Sequence, residues 1–218
     1  KNGTETSTLT ADHILIATGA RPRELPGIQI DRERIITSKE AMTLTTLPKR
    51  LVIVGSGAIG MEFTYYYRAL GSEVTVLEAL ERVLPVEDGE ISKMVARSFT
   101  RRGVKIETGA LVKSVVRKGD TVQVEYESNG QNKNLEADVT LIAIGVSPNI
   151  ENLGLEKVGV KTYKSGISVN EHMKTNIPSI YAIGDVIGPP WLAHVASAEG
   201  VHAVEHLAGK NPHLINYN

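Results

Sequence analysis

The chain reads as an α/β protein, and three observations predict it. Leu51–Val54 is an apolar run rich in β-branched side chains, too short for a helix and bounded by glycine, which fits a buried parallel strand. A helical pattern follows to Leu70, with Gly71 as its C-cap. Glu73–Leu77 is then a second strand with Glu78 at its carboxyl end, completing a strand, glycine turn, helix, strand unit.

The turn itself, Gly55-Ser56-Gly57-Ala58-Ile59-Gly60, has the spacing of a dinucleotide-binding loop. Gly55 permits the tight turn, Gly57 lets the backbone approach a pyrophosphate, and Gly60 lets the helix pack closely on the strand. The helix N-terminus then offers free N–H groups and the positive end of its dipole to the phosphates. Glu78 lies 18 residues beyond Gly60, close to the ~20 expected of an acid that bonds a ribose 2′-hydroxyl. The bland alternative is a glycine-rich turn of some other α/β protein. Its place between strand and helix, with an acid ending the next strand, favours a Rossmann-like NAD-binding domain.

Composition narrows the class. Net charge of −1 and a pI near 6.7 argue against a nucleic-acid footprint or a basic membrane face. No apolar run approaches the ~18 residues of a membrane span, and no signal-peptide pattern opens the chain. With no cysteine among 218 residues, the chain carries no disulfide, thiolate metal site or dithiol redox centre. It begins Lys-Asn-Gly without an initiator Met and reads as a piece of a longer protein.

Taken in order, Lys1–Asp12 is polar and reads as the end of a hairpin, and His13–Ala17 is an apolar strand closed by Thr18-Gly19-Ala20 and Arg21-Pro22. Leu25-Pro26-Gly27 is a turn, Thr37–Leu44 has a short helix's composition with Ser38 as N-cap, and Leu47–Lys49 leads into the central strand. Glu90–Arg102 is a helix ended by Gly103, and Val104–Ile106 is the third strand of the unit. Leu111–Arg117, Thr121–Glu127 and Asn132–Ala137 form a meander whose Asn129-Gly130 is a strong hairpin signal. Val139–Ile144 returns as an apolar strand ending at Gly145. Gly166–Val169 and Ser179–Ile183 are short strands, Gly184-Asp185 ends the second, and Ala193–Leu207 is a helix ending at Gly209.

Several of these stretches together resemble the flavin-dependent pyridine nucleotide–disulfide oxidoreductases. They are Ile14–Pro22, Gly55–Glu62, Ala143-Ile144-Gly145 with Pro148-Asn149, and Tyr181–Asp185. Trp191-Leu192-Ala193-His194, with Ala196 and Glu199-Gly200, looks like the version found in the family's lipoamide enzymes. The resemblance implies that residues 49–147 are an NAD domain with a β-meander, and that 1–48 and 148–218 are two parts of an FAD-binding domain. It implies that Gly55, Ser56, Gly57, Ala58, Ile59 and Gly60 cradle the NAD pyrophosphate, that Glu62 sits near the nicotinamide–flavin junction, and that Glu78 takes the adenosine ribose. Val112 would contact the adenine through its backbone, and Gly145 would lie beside the nicotinamide end. Thr18 and Gly19 match the FAD-contacting turn, Asp185 the residue bonding the ribityl chain, and Trp191, Leu192, Ala193 and His194 the helix start facing the flavin ring. The parent would pass electrons from dihydrolipoamide through a disulfide and FAD to NAD⁺, as a homodimer serving a 2-oxoacid dehydrogenase complex. Its expected location is cytoplasmic, or the mitochondrial matrix in a eukaryote, with no nucleic-acid or membrane partner.

Two positions depart from the pattern: Val146 stands where many members have Arg, and Val195 where lipoamide enzymes often have Lys. The family's FAD-phosphate motif, redox cysteines and His-Glu acid–base pair are absent, so no catalytic residue is assigned. Alternatives are a flavin-dependent NADH oxidase lacking the disulfide step, or a stand-alone NAD-binding module. Glu62, Asp185 and His194 also have plain readings, as a solvated helix acid, a turn former and a solvated residue. His202-Ala203-Val204-Glu205-His206 matches the H-x-x-E-H zinc-peptidase pattern, though no third ligand stands out and no metal site is assigned. Tyr65-Tyr66-Tyr67 fits helix packing better than base stacking, since no basic stripe accompanies it.

Overall fold

A computed structural model describes residues 7–164 and 166–217 and divides the chain into two compact units. One takes residues 22–146, and the other joins the segments before and after it. The expected hairpin end over Lys1–Asp12 lies partly outside the described residues, and residues 7–13 form no strand.

The elements that precede the glycine turn are β1 (Ile14–Ile16), β2 (Ala20–Pro22), β3 (Ile35–Ile36), α1 (Ser38–Ala41) and β4 (Arg50–Val54). Helix α1 is shorter than expected and is capped by Thr37, not Ser38. The Thr37 hydroxyl accepts from the Lys39 N–H, and Glu40 reaches back to the Thr37 N–H, closing a capping box. Beyond the turn come α2 (Ala58–Ala69), β5 (Glu73–Leu77), α3 (Gly89–Arg101) and β6 (Lys105–Glu107). Asp88 caps α3 by accepting from the Glu90 and Ile91 N–H groups. The meander is β7 (Ala110–Lys118), β8 (Thr121–Ser128) and β9 (Gln131–Ala137), and β10 (Val139–Ile142) follows.

Within residues 22–146 a five-stranded parallel sheet runs β3-β10-β4-β5-β6. Residues 22–48, expected with the flanks, therefore pack here: Ile35 and Ile36 form the edge strand of this sheet, paired with Thr140 and Leu141. Every β4 residue from Leu51 to Val54 is buried, so its two faces serve two layers. Leu51 and Ile53 join Val74, Val76 and Leu141 against Met61 and Tyr67 of α2, with Val95 and Phe99 of α3 packed alongside. Val52 and Val54 face the other way, with Leu77 and Ile142, onto Val115, Val122, Val124 and Tyr126 of the meander. The order is helices, sheet, meander, and truncating one fully buried aliphatic such as Ile53 to Ala would cost about 2–5 kcal/mol. Asn129 and Gly130 turn β8 into β9 at φ of 53° and 71°, the left-handed pair that a two-residue hairpin turn demands.

The second unit holds β11 (Val146–Pro148), α4 (Leu155–Val158), β12 (Thr162–Tyr163), β13 (Gly166–Ile167), β14 (Ile180–Ala182), a 3₁₀ turn over Gly184–Ile187 and α5 (Ala193–Leu207). Here β1 and β14 pair in parallel, Ile14 opposite Ile180 and Ile16 opposite Ala182. A core of Leu155, Val160, Ile167, Ile180, Ala182 and Val186 packs against that pair.

Candidate dinucleotide site

The site begins where β4 hands the chain to α2. The Gly55 N–H donates to the Leu77 carbonyl at 2.8 Å, tying the turn to the neighbouring strand. At φ of 101° Gly55 has a conformation that L side chains rarely adopt, and a Cβ there would stand 2.4 Å from the Ala143 oxygen. A Cβ on Gly60 would stand 2.0 Å from the Gly55 oxygen, so the first turn of α2 lies directly on the loop. Gly57 differs, because a Cβ there would meet nothing within 4 Å. Two of the glycines are required by packing, and the third leaves open space at the helix N-terminus.

Helix α2 has no acid in its first turn and no side chain capping Gly57, so its leading N–H groups and dipole meet that space uncompensated. Ala58 is exposed, Ile59 is half-buried against the helix-side core, and Ser56 is fully buried with its carbonyl accepting from the Leu84 N–H at 2.9 Å. The arrangement can hold an anionic diphosphate without a cationic side chain.

Glu78 stands at the end of β5 and is only 7% exposed. Its Oε2 accepts from both the Ser56 N–H, at 2.8 Å, and the Ser56 hydroxyl, at 2.7 Å. Its Oε1 accepts from the Leu80 N–H at 2.9 Å. The expected acid is thus bonded to the glycine loop itself. Sequence spacing located Glu78 but missed its link to Ser56, which depends on β4 and β5 lying side by side.

The remaining predicted contacts fall on neighbouring elements of the same unit. Val112 lies half-buried in β7, at the point where the register against β8 slips between Val112 and Ser114. Gly145 is exposed after β10, its carbonyl accepting from the Arg23 N–H at 2.9 Å. Glu62 is exposed on α2, where it lines a shallow hollow of about 300 Å³ with Met42, Phe63 and Tyr66.

The residues expected to touch a flavin all fall in the other unit. The Thr18 hydroxyl donates to the Asn149 carbonyl at 2.7 Å, and the Asn149 amide returns a bond to the Thr18 carbonyl at 2.9 Å. The Gly19 carbonyl accepts from the Asn149 N–H. Nearby, Arg21 forks onto Glu151 at 2.6 and 2.9 Å and holds its carboxyl down at about 2. Asp185 lies half-buried in the 3₁₀ turn, and Trp191, Leu192, Ala193 and His194 stand exposed at the start of α5. A residue whose role sequence reasoning missed is Glu199. It is buried, with Oε2 accepting from the Gly184 N–H at 2.6 Å and Oε1 from the Tyr217 hydroxyl at 3.0 Å. A carboxylate set among small residues, Ser197-Ala198-Glu199-Gly200, was the available signal.

The H-x-x-E-H histidines are otherwise engaged. His202 Nδ1 donates to the His213 carbonyl at 3.1 Å, and its Nε2 lies 3.2 Å from His172 Nδ1. His206 stacks on His172 with ring centroids 4.2 Å apart, and no group of three ligands that could hold a metal occurs among the described residues.

Residues 1–200 match the pyridine nucleotide-disulphide oxidoreductase family. The chain belongs to that family. Relatives within it include dihydrolipoyl dehydrogenase of Rhizobium etli, 48% identical over 96% of this chain and 44% of that protein. Dihydrolipoyl dehydrogenase of Bacillus subtilis is 44% identical over 99% of this chain and 46% of its own length. The crystal structure of LpdA from Mycobacterium tuberculosis superposes with a TM-score of 0.90 at 38% identity, covering 99% of this chain and 46% of that one. The chain spans less than half the length of each of these proteins. Membership of an oxidoreductase family and the mixed α/β fold with its parallel sheet agree with the expectations drawn from the sequence. Among the described residues no helix is long and apolar enough to cross a membrane.

Proposed function

We propose that residues 22–146 bind NAD(H) and that the whole protein is a dihydrolipoyl dehydrogenase. The observation that carries the nucleotide reading is the buried Glu78 carboxylate bonded to the glycine loop. It stands where a ribose would follow a pyrophosphate seated at the N-terminus of α2. A ribose hydroxyl can donate to a carboxylate, and a 2′-phosphate cannot. At ~4 Å and an effective dielectric of ~20, two unit negative charges repel by about 4 kcal/mol before screening by salt. No Arg follows Glu78 in Ala79-Leu80 to offset that repulsion.

The supporting relatives are named for the reaction of dihydrolipoamide. In the whole protein NAD⁺ would take electrons from a flavin supplied by a dithiol. FAD, when bound, supplies that two-electron relay. Of this chain's residues, Thr18, Gly19, Asp185 and Trp191 to His194 would line one side of the flavin, and Glu62 and Gly145 would flank the nicotinamide. This chain holds no sulfur nucleophile for thiol–disulfide exchange. A homodimeric 2-oxoacid dehydrogenase component of the cytoplasm, or of a mitochondrial matrix, completes the proposal.

Calorimetry with the 218-residue chain tests it. NADH should bind, NADPH should bind much more weakly, and Glu78→Ala should weaken NADH. Equal affinities for the two nucleotides would overturn the reading. The isolated chain should retain little FAD and should form no NADH from dihydrolipoamide with added FAD and NAD⁺. Stoichiometric flavin after gel filtration, or turnover that survives removal of contaminating enzyme, would overturn the assignment of roles.

A further inference from the structure

We infer that Ser56 is a specificity-determining positioning residue, which sets the choice between NADH and NADPH through the carboxylate of Glu78. The inference rests on the NAD(H) reading above and deepens it. An ionised carboxylate offers about four acceptor positions, two on each oxygen. Ser56 fills both positions of Oε2, one with its backbone N–H and one with its hydroxyl, and the Leu80 N–H fills one on Oε1. One acceptor position on Oε1 is left. That matches one ribose hydroxyl and leaves a 2′-phosphate with no donor to meet.

Burial makes the constraint firm. Ser56 is fully buried and Glu78 is 7% exposed, so neither group can readily trade its partner for water. The Leu84 N–H also pins the Ser56 carbonyl at 2.9 Å, which fixes the backbone that presents both donors. Ser56 is therefore poised to hold the carboxylate in one rotamer, facing the nucleotide. Without its hydroxyl, one oxygen of Glu78 has a free acceptor position, and the side chain can turn aside for a 2′-phosphate.

The test is calorimetry of NADH and NADPH against the chain, Ser56→Ala, Glu78→Gln and the double variant. Ser56→Ala keeps the backbone donor and loses only the hydroxyl. It should narrow the ratio of NADPH to NADH dissociation constants by about tenfold, the size of one lost hydrogen bond to a charged group. In the Glu78→Gln background the same substitution should leave the ratio unchanged, which a merely structural serine would not do. Melting temperatures verify folding, and Ser56→Gly carries the same test should the alanine variant fail to fold. An unchanged ratio in folded Ser56→Ala, with NADH still bound by the parent chain, overturns the role of Ser56 and leaves the nucleotide reading standing. A parent chain that binds no NADH overturns both.

Discussion

The carbonyl oxygen of Gly55 occupies the place where a side chain on Gly60 would begin, 2.0 Å from that absent Cβ. The same helix end leaves Gly57 with nothing within 4 Å. Gly60→Ala should therefore destabilise the fold, by the ~1–3 kcal/mol of an overpacked core or more, because the atom in the way is backbone. Gly57→Ala, at a φ of −67° that alanine accepts, should change stability by about 1 kcal/mol or less and still weaken NADH strongly. Thermal melts paired with calorimetry separate the two, and a Gly57→Ala protein that binds NADH normally would remove the phosphates from that space.

Glu199 joins the turn at Gly184 to the tail at Tyr217. Glu199→Ala should leave the half-buried Gly184 N–H without this partner and cost about 1–3 kcal/mol, seen as a lower denaturation midpoint. Burial, and then Glu199 itself, raises the Tyr217 hydroxyl to about 12. A raised pKa means the folded state holds its proton more tightly, so this contribution is complete below pH 10 and lost as pH rises towards 12. Removing Glu199 should bring the Tyr217 titration, followed by NMR, back towards 10.

His206 of the same unit should make its stability sensitive to acid. Burial first, then His172, His202 and Lys174, lowers the pKa of His206 below 6.5. The unfolded chain therefore takes up this proton first. Stability from the neutral ring is complete above pH 6.5 and falls as the pH drops below that value. Melting temperatures measured from pH 8 to pH 5 should fall less steeply in His206→Gln than in the parent. Equal slopes would show that carboxylates elsewhere govern the decline.

What could be read from the sequence was local. The β4-turn-α2-β5 unit, the Asn129-Gly130 hairpin and the span of α5 follow from short-range rules, and each lies within a residue or two of its expected place. Thr37 rather than Ser38 caps α1 because Glu40 sits three residues beyond Thr37, a pattern legible in hindsight. Other features depend on pairings across the chain. Ile35–Ile36 is two residues long and carries no strand signal of its own, yet β10 recruits it to the sheet. Ser56 meets Glu78 across 22 positions, and Tyr217 meets Glu199 across 18. Periodicity does not encode such meetings.

The discontinuity of the second unit has a consequence for how the chain acquires its structure. Ile14 pairs with Ile180 across the whole of residues 22–146, while the ends of that inserted stretch meet at the bond from the Arg23 N–H to the Gly145 carbonyl. Once the insert is formed, the loop that β1 and β14 must close shrinks roughly fourfold, which lowers its entropic cost by about 1 kcal/mol. Order of assembly then follows from topology, with the inserted sheet first and the split sheet after it. Trp191 is the chain's one tryptophan and belongs to the late-forming unit. In stopped-flow refolding its fluorescence should trail the far-ultraviolet circular dichroism signal, and a common rate for both would mean the two units form together.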